Sequence, residues 1–150
     1  MQKLHFSMLI NAPKDKVWHA MLDDQPYREW TNVFNEGSHY KGSWEKGSKI
    51  LFLGPDPNTG GDGGMVSRIA DNKPYEFISI EHLGIVQNGV EDTTSEAARK
   101  WAPAFENYTF NDKDGATEVL VDMDVEDEHV QMFNEMWPKG LRKLKELAEK

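Results

Sequence analysis

The sequence contains no cysteine, which excludes disulfide bonds, thiol nucleophiles and zinc sites built on thiolates. Long apolar runs are also missing, since none approaches the roughly 20 residues that a membrane-spanning helix needs. The first stretch, MQKLHFSMLINAP, lacks the basic, apolar and cleavage regions of a signal peptide. We therefore expect a cytoplasmic protein that does not insert into membranes.

Basic residues are few, because 17 Lys and Arg stand against 26 Asp and Glu and give a net charge of −9. Nucleic acids and anionic membranes bind basic surfaces, so this balance argues against both as partners. The 150 residues fit a single domain, which we expect to span residues 1–150. Apolar residues make up 38% of the chain, and their regular patterning favours a folded globule over disorder.

Alternating and helical patterns set the expected order of elements. Apolar residues alternate over residues 4–10, which indicates a strand with one core face. Pro13 suits the first position of a helix, and Pro26 begins a second short helix. Strand-like segments separated by turn signals follow from Tyr40 onward, interrupted by the polar, helix-tolerant residues 89–103.

The last segment predicts a long amphipathic helix, because apolar residues recur every three or four positions from Val130 to Ala148. Pro138 removes a backbone hydrogen bond inside this pattern, so we expect a kink or a break near Trp137. The simplest packing is an α+β fold with two short helices after the first strand. Its curved antiparallel sheet of about six to seven strands would wrap around the long C-terminal helix.

Two acidic segments match metal-binding patterns only in part. Asp56, Asn58 and Asp62 alternate as in a calcium loop, but Ser67 occupies the position where that loop needs a glutamate. We interpret this segment as a long, flexible connection between strands. Residues 121–129 are rich in carboxylates, which suit a solvated strand face running into a helix N-terminus. We therefore predict no metal site and no cofactor.

Catalytic motifs are not recognised, and the question of whether the chain is an enzyme stays open. There is no G-x-S-x-G elbow, and the five histidines are scattered rather than spaced as H-x-x-x-H. His82 and Glu106 could together serve as acid and base. Glu81 should not join them, since neighbouring residues on a strand point to opposite faces.

Several stretches together carry a family resemblance. They are INAPKDKVWHAM (residues 10–21), QPYREW, GSWEKGSKI, GATEVLV and MWPKGLRKLKELAEK. Through them the chain resembles the SRPBCC superfamily, with its START-like helix-grip fold, over nearly its whole length. Within the superfamily it is most similar to the group related to the activator of the heat-shock protein 90 ATPase. The resemblance implies a mostly apolar cavity between the sheet and the last helix, with a few placed polar groups.

Two polar residues are candidates for binding a ligand in that cavity. His82 continues the strand face of Ile78 and Ile80, either as a polar anchor or as a strand-end histidine bonded to backbone or water. Tyr108 shares a face with Phe110, and its hydroxyl either reaches a ligand or is satisfied within the core.

Four aromatic residues complete the predicted ligand-binding set. Phe133 and Trp137 lie on the helix face that should meet the cavity, although core packing alone would also explain both. Trp44 follows a turn glycine and fits either the cavity wall or the edge of the sheet. Trp101 lies in a polar stretch, either as a lid over the cavity or as a hinge residue tucked under the loop.

The resemblance leads to three hypotheses about function. We favour a binding protein that holds a small hydrophobic or amphipathic molecule in the cavity. The second hypothesis is a protein–protein module similar to the chaperone ATPase activators, whose acidic surface would serve a basic partner. The third is a cyclase- or hydratase-like enzyme that uses an acid or base in the pocket.

Overall fold

The structure is a computed structural model that describes residues 1–56 and 60–150, with the backbone alone for Trp101. Within these residues the chain forms eight strands and four α-helices. The strands are β1 (Gln2–Ile10), β2 (His39–Gly42), β3 (Lys49–Pro55), β4 (Asp62–Lys73), β5 (Phe77–Gln87), β6 (Val90–Asp92), β7 (Ala104–Lys113) and β8 (Ala116–Val125). The helices are α1 (Lys14–Leu22), α2 (Asp24–Thr31), α3 (Glu96–Trp101) and α4 (Val130–Ala148).

All neighbouring strands pair antiparallel in one curved sheet, in the order β1-β8-β7-β5-β4-β3-β2, and β6 pairs with β5. The predicted α+β architecture is confirmed, including the two short helices after β1 and the long C-terminal helix. The short strand β6 lies in the segment that we expected to be polar and helix-tolerant. It adds one strand to the predicted sheet.

The C-terminal helix α4 does not break at proline, so the expected break near Trp137 was wrong, and the alternative of a kink stays a prediction. The helix continues through Pro138, whose side chain is exposed. Its opposite face packs on β1, α1 and α2 and buries Trp137, Leu141, Leu144 and Ala148. Because tertiary packing supplies most of the stability of a protein helix, this buried face offsets the hydrogen bond that proline removes.

The concave face of the sheet carries the core. On β8, Val119, Val121, Met123 and Val125 are buried and alternate with half-buried residues, as the period-two pattern predicts. The β7–β8 hairpin turns at Asp114 and Gly115, which both have positive φ, 55° and 92°. Positive φ at both central residues is the requirement of the tight hairpin turn that this dipeptide favours.

Helices α1 and α2 cover one end of the sheet. The Trp18 ring packs against Phe110, with ring centroids 5.2 Å apart, so it fills space between α1 and the sheet. At the next helix, Trp30 Nε1 donates a hydrogen bond to the Met21 carbonyl oxygen at 3.0 Å and ties α2 to α1. A tryptophan on each helix therefore fixes how the pair lies across the sheet.

The connection after β3 is shorter than predicted, because β3 extends to Pro55 and β4 begins at Asp62. Residues 57–59, which include Asn58 of the partial calcium-loop pattern, lie outside the described residues.

Candidate functional site

A pocket of about 570 Å³ lies between the concave face of the sheet, α2 and the first half of α4. This volume is in the range of protein sites that enclose small organic molecules. The helices contribute mainly aromatic side chains, and the strands contribute both apolar and polar ones. The residues used in the argument below are Tyr27, Trp30, Phe34, Met65, His82, Glu106, Tyr108, Met123, Phe133 and Trp137.

Four of the six predicted ligand-binding residues line this pocket, namely His82, Tyr108, Phe133 and Trp137. Trp44 is not among the described lining residues. Its indole Nε1 donates to the Leu22 carbonyl oxygen at 2.9 Å, which anchors it beside the edge strand β2. The side chain of Trp101 lies outside the described residues, so its assignment as lid or hinge stays a prediction.

A chain of polar side chains crosses the sheet wall of the pocket. His82 Nδ1 lies 2.7 Å from Ser67 Oγ, and His82 Nε2 lies 3.2 Å from Glu106 Oε1. The Tyr108 hydroxyl donates a hydrogen bond to the other carboxylate oxygen of Glu106. A neutral imidazole satisfies both contacts if Nε2 carries the proton and the Ser67 hydroxyl donates to Nδ1.

Strand register brings these four side chains together. Ser67 on β4 is paired with His82 on β5, next to a register shift between Val66 and Ser67. On β7, the two-residue period places Glu106 and Tyr108 on the concave face. The partner of Glu106 across the β5–β7 ladder is Ile80, so Glu106 reaches His82 diagonally.

Ser67 is not positioned to act as a nucleophile, although serine, histidine and glutamate recur in hydrolases. Its side chain is fully buried, and it does not belong to the described pocket lining. A ligand in the pocket therefore meets His82 and Glu106 first. We interpret Ser67 as a positioning residue that orients the imidazole from behind.

Two buried phenols lie next to the carboxylate of Glu106. Burial raises the pKa of Tyr27 and of Tyr108, and the negative charge of Glu106 raises both pKa values further. Both hydroxyls therefore stay protonated at neutral pH and act as hydrogen-bond donors. The Tyr108 donor is already used by Glu106.

The indole N–H of Trp137 lacks a hydrogen-bond acceptor in the part of the chain that the structure describes. Its side chain is buried, yet its Nε1 has no hydrogen-bond partner among the described residues. Its ring lies 6.1 Å from that of Tyr108 and 5.7 Å from that of Trp30, measured between centroids. An unpaired buried donor costs about 1–3 kcal/mol.

The described lining includes several acidic residues, but not every carboxylate among them faces the pocket. Asp124 turns its carboxylate to Lys3 Nζ at 2.8 Å and to the Phe105 backbone N–H at 2.9 Å. Burial raises the pKa of Asp124, but these hydrogen bonds and the Lys3 charge outweigh burial and hold the pKa below its usual value. The charge of Asp124 is therefore satisfied outside the pocket.

One group of side chains between β8 and α4 has the spacing of metal ligands. The ligand atoms of Glu126, Glu128 and His129 all lie within 4.8 Å of one another. Glu128 and His129 are exposed, and acids are favourable at the start of a helix without any ion. We assign no metal to this group.

The sequence matches the family model of the Activator of Hsp90 ATPase homolog 1-like protein over residues 11–149. The chain belongs to this family. The resemblance inferred from the sequence motifs is thus confirmed. A comparison with curated proteins finds no match. In the part of the chain that the structure describes, none of the helices combines the length and the apolar character needed to cross a bilayer.

Solved structures of other proteins show the same fold. ChR145 from Cytophaga hutchinsonii has a TM-score of 0.72 and 17% identity, covering 99% of this chain and 94% of its own. NE0264 from Nitrosomonas europaea has a TM-score of 0.71 and 11% identity, covering 97% and 92%. CV1439 from Chromobacterium violaceum has a TM-score of 0.69 and 16% identity, covering 100% and 99%. At these identities the likeness shows the fold alone.

Proposed function

We propose that the protein binds one small apolar or amphipathic molecule in this pocket. The single observation that carries the proposal is an aromatic helix wall that lies across the pocket from a few polar side chains of the sheet, His82, Glu106 and Tyr108. Mostly apolar pockets with a few placed polar groups are the usual binding sites of small molecules.

The size of the space supports the same proposal. Protein interiors are close-packed and hold few voids larger than a water molecule. Trp30, Phe133 and Trp137 stand in the pocket wall and still leave about 570 Å³ between them and the sheet. This space supports the proposal that these aromatic residues line a binding site, because it leaves apolar surface for a ligand's body.

Decanol is a suitable probe, because it has an apolar chain for the aromatic wall and a hydroxyl group for the polar side chains. We expect calorimetry to show saturable binding of one decanol per chain. Phe133→Ala removes an aromatic side chain from the pocket wall, so we expect about fivefold to tenfold weaker binding from the lost apolar contact.

Phe105→Ala is the matched control, since it makes the same chemical change outside the described pocket lining. Because Phe105 is 37% exposed, this variant should bind decanol like the wild type. Absence of saturable decanol binding by the wild-type protein would contradict the proposed function.

A further inference from the structure

We propose that the ligand of this pocket carries a positively charged amine or quaternary ammonium group, held beside Glu106. The inference rests on the proposed function and names the chemical class of the molecule bound. It follows from three features of the site: the buried carboxylate, the scarcity of basic groups around it, and the aromatic wall.

Glu106 places a carboxylate in the wall of the pocket with little solvent around it. Its side chain is 12% exposed, and each of its oxygens receives one hydrogen bond, from His82 or from Tyr108. A carboxylate oxygen can accept more than one hydrogen bond, so both oxygens keep capacity for a ligand's donor. A charge in such a partly desolvated place interacts more strongly than one in water.

The lysine side chains and the terminal amino group that could cancel this charge are directed elsewhere. The described lining residues include no lysine or arginine. The nearby Lys3 pairs with Asp124, and the amino group of Met1 lies 3.8 Å from Asp127. His82 Nε2 lies 3.2 Å from Glu106 Oε1, and the ring satisfies its contacts to Ser67 and Glu106 without a charge if Nε2 holds the proton. The net charge of −9 adds a negative field over the whole protein.

The aromatic wall completes the recognition of a cation. Ammonium groups are attracted to the faces of tryptophan and tyrosine rings, and quaternary ammonium ligands are commonly held by aromatic residues. Tyr108 lies against both Glu106 and Trp137, so the carboxylate and the aromatic rings adjoin the same part of the pocket. An anionic head group, such as that of a fatty acid, would face the Glu106 carboxylate with no lysine or arginine among the described lining residues to pair with.

Three probes with the same decyl chain separate the effect of charge from that of the apolar body. They are decyltrimethylammonium, decanol and decanoate, each titrated below its micelle concentration at mildly alkaline pH. We expect the ammonium to bind most tightly and decanoate most weakly, with about tenfold or more between the two dissociation constants, as one partly screened charge contact predicts.

Glu106→Gln removes the charge and keeps the shape of the side chain. It should weaken decyltrimethylammonium binding about tenfold, and this loss should be larger than any change in decanol binding by the same variant. Glu118→Gln changes the net charge equally at a site paired with Lys113, outside the described pocket lining, and should leave the ranking of the probes unchanged.

The outcomes distinguish failure of this inference from failure of the proposed function. If decanol binds and the ammonium has no advantage over decanoate, the charge preference is wrong and the pocket remains an apolar binding site. If none of the three probes binds, the proposed function is wrong and the inference fails with it. Should Glu106→Gln not fold, the wild-type ranking alone decides the question.

Discussion

Replacing Trp30 with alanine is expected to lower the free energy of unfolding by about 3–5 kcal/mol, the usual cost of removing a buried aromatic side chain. Trp30 is 1% exposed and donates its N–H to the Met21 carbonyl. Its ring packs at 5.6 Å from Tyr27 and 5.7 Å from Trp137, between centroids, so it connects α2 to α4. The alanine variant leaves a cavity at this junction and an unpaired carbonyl on α1.

Urea unfolding followed by circular dichroism measures this loss directly, with the slope of the transition as a check that the unfolded state is unchanged. Leu9→Ala is the control, because Leu9 is 56% exposed on β1 and its removal should cost less than about 0.5 kcal/mol. A loss below about 1 kcal/mol for Trp30→Ala would show that α2 does not pack on α4 as described.

Stability is expected to fall steeply as the pH rises above about 10, because two tyrosines are buried as neutral phenols. Burial, together with the charge of Glu106, raises the pKa of Tyr27 and of Tyr108 above the ordinary value of 10.0. Above that value the unfolded chain releases phenolic protons that the folded chain retains. The stabilisation is therefore complete below pH 10 and is lost as the pH rises towards the folded pKa.

Absorbance of tyrosinate against pH, compared with far-ultraviolet circular dichroism, tests this expectation. We expect the phenols of Tyr27 and Tyr108 to ionise only as the chain unfolds. The double variant Tyr27→Phe, Tyr108→Phe should flatten the alkaline loss of stability. Tyr27 and Tyr108 are not the cause of the alkaline loss of stability if every tyrosine titrates near its ordinary pKa while the circular dichroism spectrum remains that of the folded protein.

Local patterns were enough to predict the inner faces of the elements. The alternation that placed His82 with Ile78 and Ile80, and Tyr108 with Phe110, depends only on the two-residue period of a strand. All five residues are buried in the structure. The helical spacing that selected Trp137 works in the same way, since positions three or four apart share one face of a helix.

Contacts between strands could not be read from the sequence in the same way. The contact of Ser67 with His82 depends on a register shift in the β4–β5 ladder, and that of Glu106 with His82 depends on how residues 83–103 return the chain to β7. The sequence did contain a pattern that places Glu106 in the site, because Glu106 alternates with Tyr108 on the same strand face. No local sequence pattern places Ser67 there, since the residue that pairs with it lies in a distant part of the chain.

Two further differences between the predictions from sequence and the structure, at Pro138 and at Trp44, also depend on packing against residues that are distant in the sequence. Pro138 lies within an intact helix because the opposite face of α4 is buried on β1, α1 and α2. Trp44 lies near the sheet edge because its N–H is taken by Leu22, a residue on α1. In both cases the deciding partners are far away in the sequence.

The central claim, that a small apolar molecule occupies the pocket, is tested most directly by labelling the methionine methyl groups for nuclear magnetic resonance. Met65 and Met123 line the pocket, whereas Met21 is buried in the core and Met132 is exposed on α4. On titration with decanol, the account predicts saturable shifts of the Met65 and Met123 signals, with Met21 and Met132 unchanged. Unchanged Met65 and Met123 signals, or shifts confined to Met132, would contradict it.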